Sequence, residues 1–205
     1  MSDVLDFNNA GGQRSFDVVP DNTICILQMV IKPGGAGPGG WLTPANTAKG
    51  YSEHLACEFT IVEGEHAKRK LWARYTVASP DRATYGEAID ISLGVLKAIL
   101  ESAHGFRPDD KSEAAEAARR VSSWGDFDQL RFPARLGIEP PKNGYAAKNV
   151  IKEVITPERQ AWRKVEQIDR DLLGQPSGAA AAPSGPSQAG ETPPANKIAR
   201  PDWAK

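Results

Sequence analysis

Two neighbouring stretches of this chain alternate strictly between apolar and polar side chains. In residues 54–62, Leu55, Cys57, Phe59 and Ile61 fall on one side and His54, Glu58 and Thr60 on the other. In residues 68–76, Lys68, Lys70, Trp72, Arg74 and Thr76 share one face. Arg69, Leu71, Ala73 and Tyr75, continued by Val77, share the opposite, mostly apolar one. A period of two is that of a β-strand, whose successive side chains point to opposite faces of its sheet. Glu63-Gly64-Glu65-His66 lies between the two stretches as a turn. Together they predict an antiparallel hairpin that buries one face and leaves three cations around one indole on the other.

The rest of the pattern supplies partners for that hairpin. Residues 23–32 are almost continuously apolar between Pro20-Asp21-Asn22 and Pro33, which predicts a central strand covered on both faces. Residues 131–139 alternate, with Phe132, Ala134, Leu136 and Ile138 inward and Arg131 and Arg135 outward. After a loop from Pro140 to Gly144, residues 147–155 predict the partner strand, ended by Pro157. Residues 84–104 have helical periodicity, with Ala88, Ile91, Val95, Leu96, Ile99 and Leu100 on an apolar stripe. Glu87, Asp90, Gly94, Lys97 and Glu101 form the polar side, and Gly105 is placed as a C-cap. A second helix is expected over 111–121, with Asp110 and Glu113 in a capping-box pattern. The expected fold is mainly β with a helical insert (α+β). Its order, three strands, helix and two strands, is that of an OB-fold, a five-stranded Greek-key barrel.

Composition divides the chain into a domain over 1–157, a short polar helical or extended segment over 158–173, and an Ala/Pro/Gly/Ser-rich tail over 174–205. Residues 1–15 read as an irregular polar arm at the start of that domain, and the tail reads as disordered. A tryptophan in a disordered tail has no core to join, so Arg200, Pro201 and Trp203 are a candidate docking motif for a protein partner. The formal net charge of −1 argues against a protein that seeks DNA over its whole surface and confines any nucleic-acid site to a local groove. Cys25 and Cys57 sit inside apolar runs and read as buried free thiols. No secretory leader and no apolar run of membrane-spanning length is visible, so a cytoplasmic location is expected.

The candidate chemistry follows from the hairpin. Lys68, Lys70 and Arg74 are suited to phosphates, and Trp72 offers a face for a base to stack on. In an OB-fold the second and third strands present the ligand face, and two loops frame it. One such loop is Gly-rich and carries Trp41; the other carries Lys142 and Tyr145. The Gly-rich loop lacks the Gly-Lys-Ser/Thr of a phosphate loop and reads as a long hairpin loop. Arg131, Arg135, Lys148 and Lys152 complete the candidates. Catalysis is not expected. His54, His66 and His104 have no metal-ligand spacing with one another or with a cysteine. Asp109-Asp110 read as a helix cap, Asp126 and Asp128 as loop acids, and Glu58 as the cross-strand ion partner of Lys70. No cofactor and no metal are implied.

Residues 55–72, Leu-Ala-Cys-Glu-Phe-Thr-Ile-Val-Glu-Gly-Glu-His-Ala-Lys-Arg-Lys-Leu-Trp, resemble the signature of a phage and prophage family of small proteins encoded near recombination genes. Phe7-Asn8-Asn9-Ala10, Ala103-His104-Gly105 and Gly144-Tyr145-Ala146-Ala147-Lys148-Asn149 extend the resemblance, which spans residues 5–157. Some members are regarded as single-strand DNA-binding proteins. The resemblance therefore implies a single-stranded DNA-binding protein of phage-type recombination or replication, in the host cytoplasm if phage-encoded. Lys68 stands where the family commonly has glycine. The tail ends Trp203-Ala204-Lys205, unlike the acidic tip of bacterial single-strand binding proteins. The alternative is an adaptor whose tail recruits a recombinase, nuclease or replisome protein, and a virion component is a third reading. Monomer and homo-oligomer both remain open at this point.

Overall fold

The computed structural model describes residues 17–142 and 144–165. The polar arm, the remainder of the 158–173 segment and the tail with Arg200, Pro201 and Trp203 lie outside the described residues. The elements are β1 (Ile24–Ile31), β2 (Thr43–Thr47), β3 (Gly50–Ile61), β4 (Lys70–Ala78), α1 (Arg82–His104), α2 (Glu113–Ala118), β5 (Arg131–Glu139), β6 (Lys148–Val154) and a short α3 (Trp162–Val165). No helix among the described residues is long and apolar enough to cross a membrane.

All strands pair antiparallel in one open sheet, organised by β3. One edge of β3 pairs with β4 over Glu53–Thr60. The other edge is divided: Cys57–Ile61 pair with β1, and Gly50–His54 pair with β2. β1 and β2 therefore lie in line along the same edge, and the Gly-rich loop is an excursion between them rather than a hairpin between neighbours. It closes on itself through the mutual backbone bonds of Ala36 and Leu42, both 2.9 Å. A Cβ at Gly34 would fall 2.4 Å from Thr43 Cα, so no other residue fits that crossing. Beyond β1 the sheet continues through β5 to β6.

Among the described residues the five expected strands are six. β2, Thr-Pro-Ala-Asn-Thr, has no apolar alternation, and its ladder exists because β3 is long enough to supply a partner. β4 and β6, at the two ends of the sheet, come within 8 Å at Cα. Among the described residues they share no ladder, so the sheet is not closed by hydrogen bonds.

The predicted core face is correct along the hairpin: Leu55, Cys57, Phe59, Ile61, Leu71, Tyr75 and Val77 are buried. Phe59 sits at its centre. Its ring meets Tyr75 of β4 edge-on at 6.4 Å and Phe132 of β5 edge-on at 5.9 Å. Each such pair adds about 0.5–1.5 kcal/mol beyond area burial.

The helices depart from the expected pattern. α1 is capped by Asp81, which accepts from the Thr84 amide at 3.1 Å, and stopped by Gly105 at φ 73°. Its buried face is Ile89, Ser92, Leu96, Ile99, Leu100 and Ala103. Ile91, assigned to the stripe by periodicity, is 62% exposed. Glu101, assigned to the polar side, is 3% exposed at its side chain because Arg119 Nε reaches it at 2.7 Å and Lys97 Nζ at 3.3 Å. Arg119 also donates to the carbonyls of Asp110 and Arg107, so one guanidinium ties the α1–α2 connection together. α2 is shorter than 111–121. Its cap is Ser112, whose hydroxyl accepts from the Ala115 amide, while the Asp110 carboxylate accepts from the Ser112 amide. α1 packs against β4, β5 and β6, and Ser102 Oγ donates to Ile155 O at 2.6 Å.

Breaking a buried ion pair leaves an uncompensated charge. Arg119→Ala is expected to lower the unfolding free energy by about 3 kcal/mol, at the low end for such pairs because Lys97 stays beside Glu101. Urea titration of the purified variant measures this.

Candidate nucleic-acid interface

The β3–β4 register sets Glu58 opposite Trp72, Ala56 opposite Arg74, Thr60 opposite Lys70 and His54 opposite Thr76. Because the intervening residues form the core, all of these lie on the outer face. Trp72 is 64% exposed there.

Among the described residues three open clefts border this strand. The largest, about 690 Å³, runs between the starts of β4 and β6, with Lys68, Lys70, Trp72 and Lys148 around a floor that includes Leu71 and Leu136. A second, about 450 Å³, continues along the same seam toward α1, bordered by Trp72, Ile91, Ile151, Lys152 and Arg159. A third, about 550 Å³, joins Arg74 to the β5–β6 loop through Lys142, Tyr145 and Lys148. Trp72 borders two of the clefts and Lys148 borders two. Tyr145, 79% exposed, is a second open aromatic side chain of this region.

The fold therefore gathers Lys68, Lys70, Trp72, Arg74, Tyr145, Lys148 and Lys152 along one seam. Three other predicted residues stand apart. Trp41 is half-buried against the core, and a Cβ at Gly125 would fall 2.6 Å from its ring. The excursion between β1 and β2 packs against the 3-10 segment Trp124–Phe127, and Trp41 borders none of the three clefts. Arg135 pairs with Glu153 at 3.1 Å across β5 and β6. Arg131 lies opposite Gln28 of β1, and neither arginine borders the three clefts. Two cations escaped sequence reasoning. Lys32 reaches the outer face from the end of β1, and Arg159 follows Pro157, beyond any strand signal.

The cations are not equally available. Lys70 pairs with Glu58 at 2.7 Å, Lys148 with Glu139 at 3.0 Å, and Lys152 donates to Asn22 Oδ1 at 3.0 Å. Among the described residues Lys68, Arg74 and Lys142 have no carboxylate partner. The hydrogen bond from Lys70, with Lys32 nearby and the Trp72 indole, holds the Glu58 carboxyl below its usual range, although burial opposes this. Burial, then the neighbouring Arg74, lowers the His54 pKa. Its two ring nitrogens meet Ser52 Oγ at 3.1 Å and Thr76 Oγ1 at 3.2 Å. Burial pushes the free thiols of Cys25 and Cys57 up to about 12, which leaves them poor nucleophiles. No protein-family profile matches the chain, and no curated protein matches it.

Lys68 precedes β4 and is not part of it, contrary to the strand expected from residue 68. It has φ 69°, the left-handed conformation that favours glycine, and its amide closes the turn onto Ile61 O at 2.8 Å. An L-residue there costs about 1–2 kcal/mol, and the greater chain entropy of glycine offsets part of that. Lys68→Gly is expected to raise stability by about 0.5 kcal/mol. Lys68→Ala, which keeps the strain, should not. Parallel urea titrations separate the turn geometry from the charge.

Proposed function

We propose that this domain binds single-stranded DNA along the outer face of β3 and β4 and the seam between β4 and β6. The scaffold is read as an OB-like barrel left open at that seam. In support, β1 pairs with both β3 and β5, β3–β4 and β5–β6 are hairpins, and the helical insert lies between them, which is OB-fold connectivity. The observation that carries the functional reading is Trp72: an open indole face at the junction of two clefts that hold cations from both edge strands. Stacking works on any base, and lysine and arginine contact phosphates without reading sequence, so little sequence preference is expected. A net charge near zero restricts the attraction to this seam. The resemblance to proteins encoded near phage recombination genes supports reading this activity as part of phage-type recombination or replication.

Single bases stacked on aromatic side chains contribute about 1–3 kcal/mol. Trp72→Ala is expected to weaken binding of oligo-dT by that amount, and wild-type binding should quench tryptophan fluorescence. A folded Trp72→Ala variant that binds oligo-dT with unchanged affinity contradicts the assignment.

A further inference from the structure

Glu58 is an acid at the centre of a face otherwise suited to phosphates. It projects from β3 between Val30 of β1 and Trp72 of β4, and its side chain is only 12% exposed. Three donors converge on it: Lys70 Nζ on Oε1 at 2.7 Å, Lys32 Nζ on Oε2 at 3.5 Å, and the Trp72 indole N–H on Oε2 at 3.3 Å. One carboxylate thus bridges the cations of two strands and holds the edge of the ring proposed to stack on bases.

We infer that Glu58 is a positioning residue that occupies the place of a phosphate in the free protein, orienting Trp72 and lowering affinity by competing for Lys70. This inference rests on the single-strand-binding reading and names how that site is regulated. The indole N–H points to Glu58, so the edge of the ring is anchored and its face is left to solvent. A strand that enters must draw Lys70 from a carboxylate it already contacts. It gains less than it would from a lysine paired only with water. The two functions separate chemically. An amide at this position still accepts the indole hydrogen bond but carries no charge; a methyl does neither.

Glu58→Gln is therefore expected to bind oligo-dT about three- to ten-fold more tightly at low salt. Its log affinity should fall more steeply with log salt, by about 0.7 for the one lysine released. Glu58→Ala should lose the anchored ring and show weaker fluorescence quenching than Glu58→Gln. NMR of ¹⁵N-labelled tryptophan, with the Trp72 indole signal identified by Trp72→Phe, reads the contact without DNA. In the wild type that signal should move with pH at a midpoint below 4.5, the ordinary value for this carboxyl, and in Glu58→Gln that transition should vanish. Unchanged affinity and salt slope in Glu58→Gln, or weaker binding, overturn the competition. An indole signal insensitive to Glu58→Ala overturns the positioning. If the wild type binds no oligonucleotide, the functional reading fails, while the indole measurement still decides the positioning role.

Discussion

The register between β3 and β4 is the constraint on which the rest of the domain depends. Phe59 holds it, with its ring between Tyr75 and Phe132, so three strands meet at one aromatic contact. Side chains alternate along a strand, and a slip by one residue would send Phe59 outward and Glu58 into the core. Because that exchange is so costly, the outward positions are fixed as firmly as the core. Lys70, Trp72 and Arg74 owe their common exposure to Leu71, Tyr75 and Val77. A charged, aromatic surface is specified here by the burial of its alternate neighbours.

The second constraint is the length of β3. Its 12 residues give one edge to β4 and divide the other between β1 and β2. This arrangement leaves β4 and β6 as facing ends of an open sheet. The clefts lie along their seam, so the same topology that leaves the sheet unclosed brings Lys148, Tyr145 and Lys152 toward the hairpin. Of these cations, Lys70 and Lys148 spend the free state paired with acids, consistent with a chain that carries almost no net charge.

Alternation made the hairpin and β5 legible in the sequence, a nearly continuous apolar run made β1 legible, and β6 was read as the strand that follows the Pro140–Gly144 loop. Features set by partners rather than by local pattern were hidden. β2 has no apolar signature and exists through β3. Glu101 looks solvent-facing by helical spacing, and its burial is made tolerable by Lys97 and by Arg119, 18 positions later at the end of α2. Ile91 fits a helical stripe, but the buried face is centred on Ile89 and Leu96. At the site, Lys70, Trp72 and Arg74 were readable from period alone. The withdrawal of Trp41 onto Gly125 was not, since it depends on which way an irregular Gly-rich loop turns. Lys68, expected within the strand, adopts instead a positive φ that the alternation does not reveal.

Photocrosslinking tests the central claim most directly. Wild-type protein would be irradiated with an oligo-dT containing 5-iodouracil, and the attached peptides mapped by mass spectrometry. The account predicts adducts concentrated at Trp72 and Tyr145, suppressed by excess unlabelled single strand. Adducts confined to Trp41 or to residues of α2, with Trp72 unmodified, would contradict it.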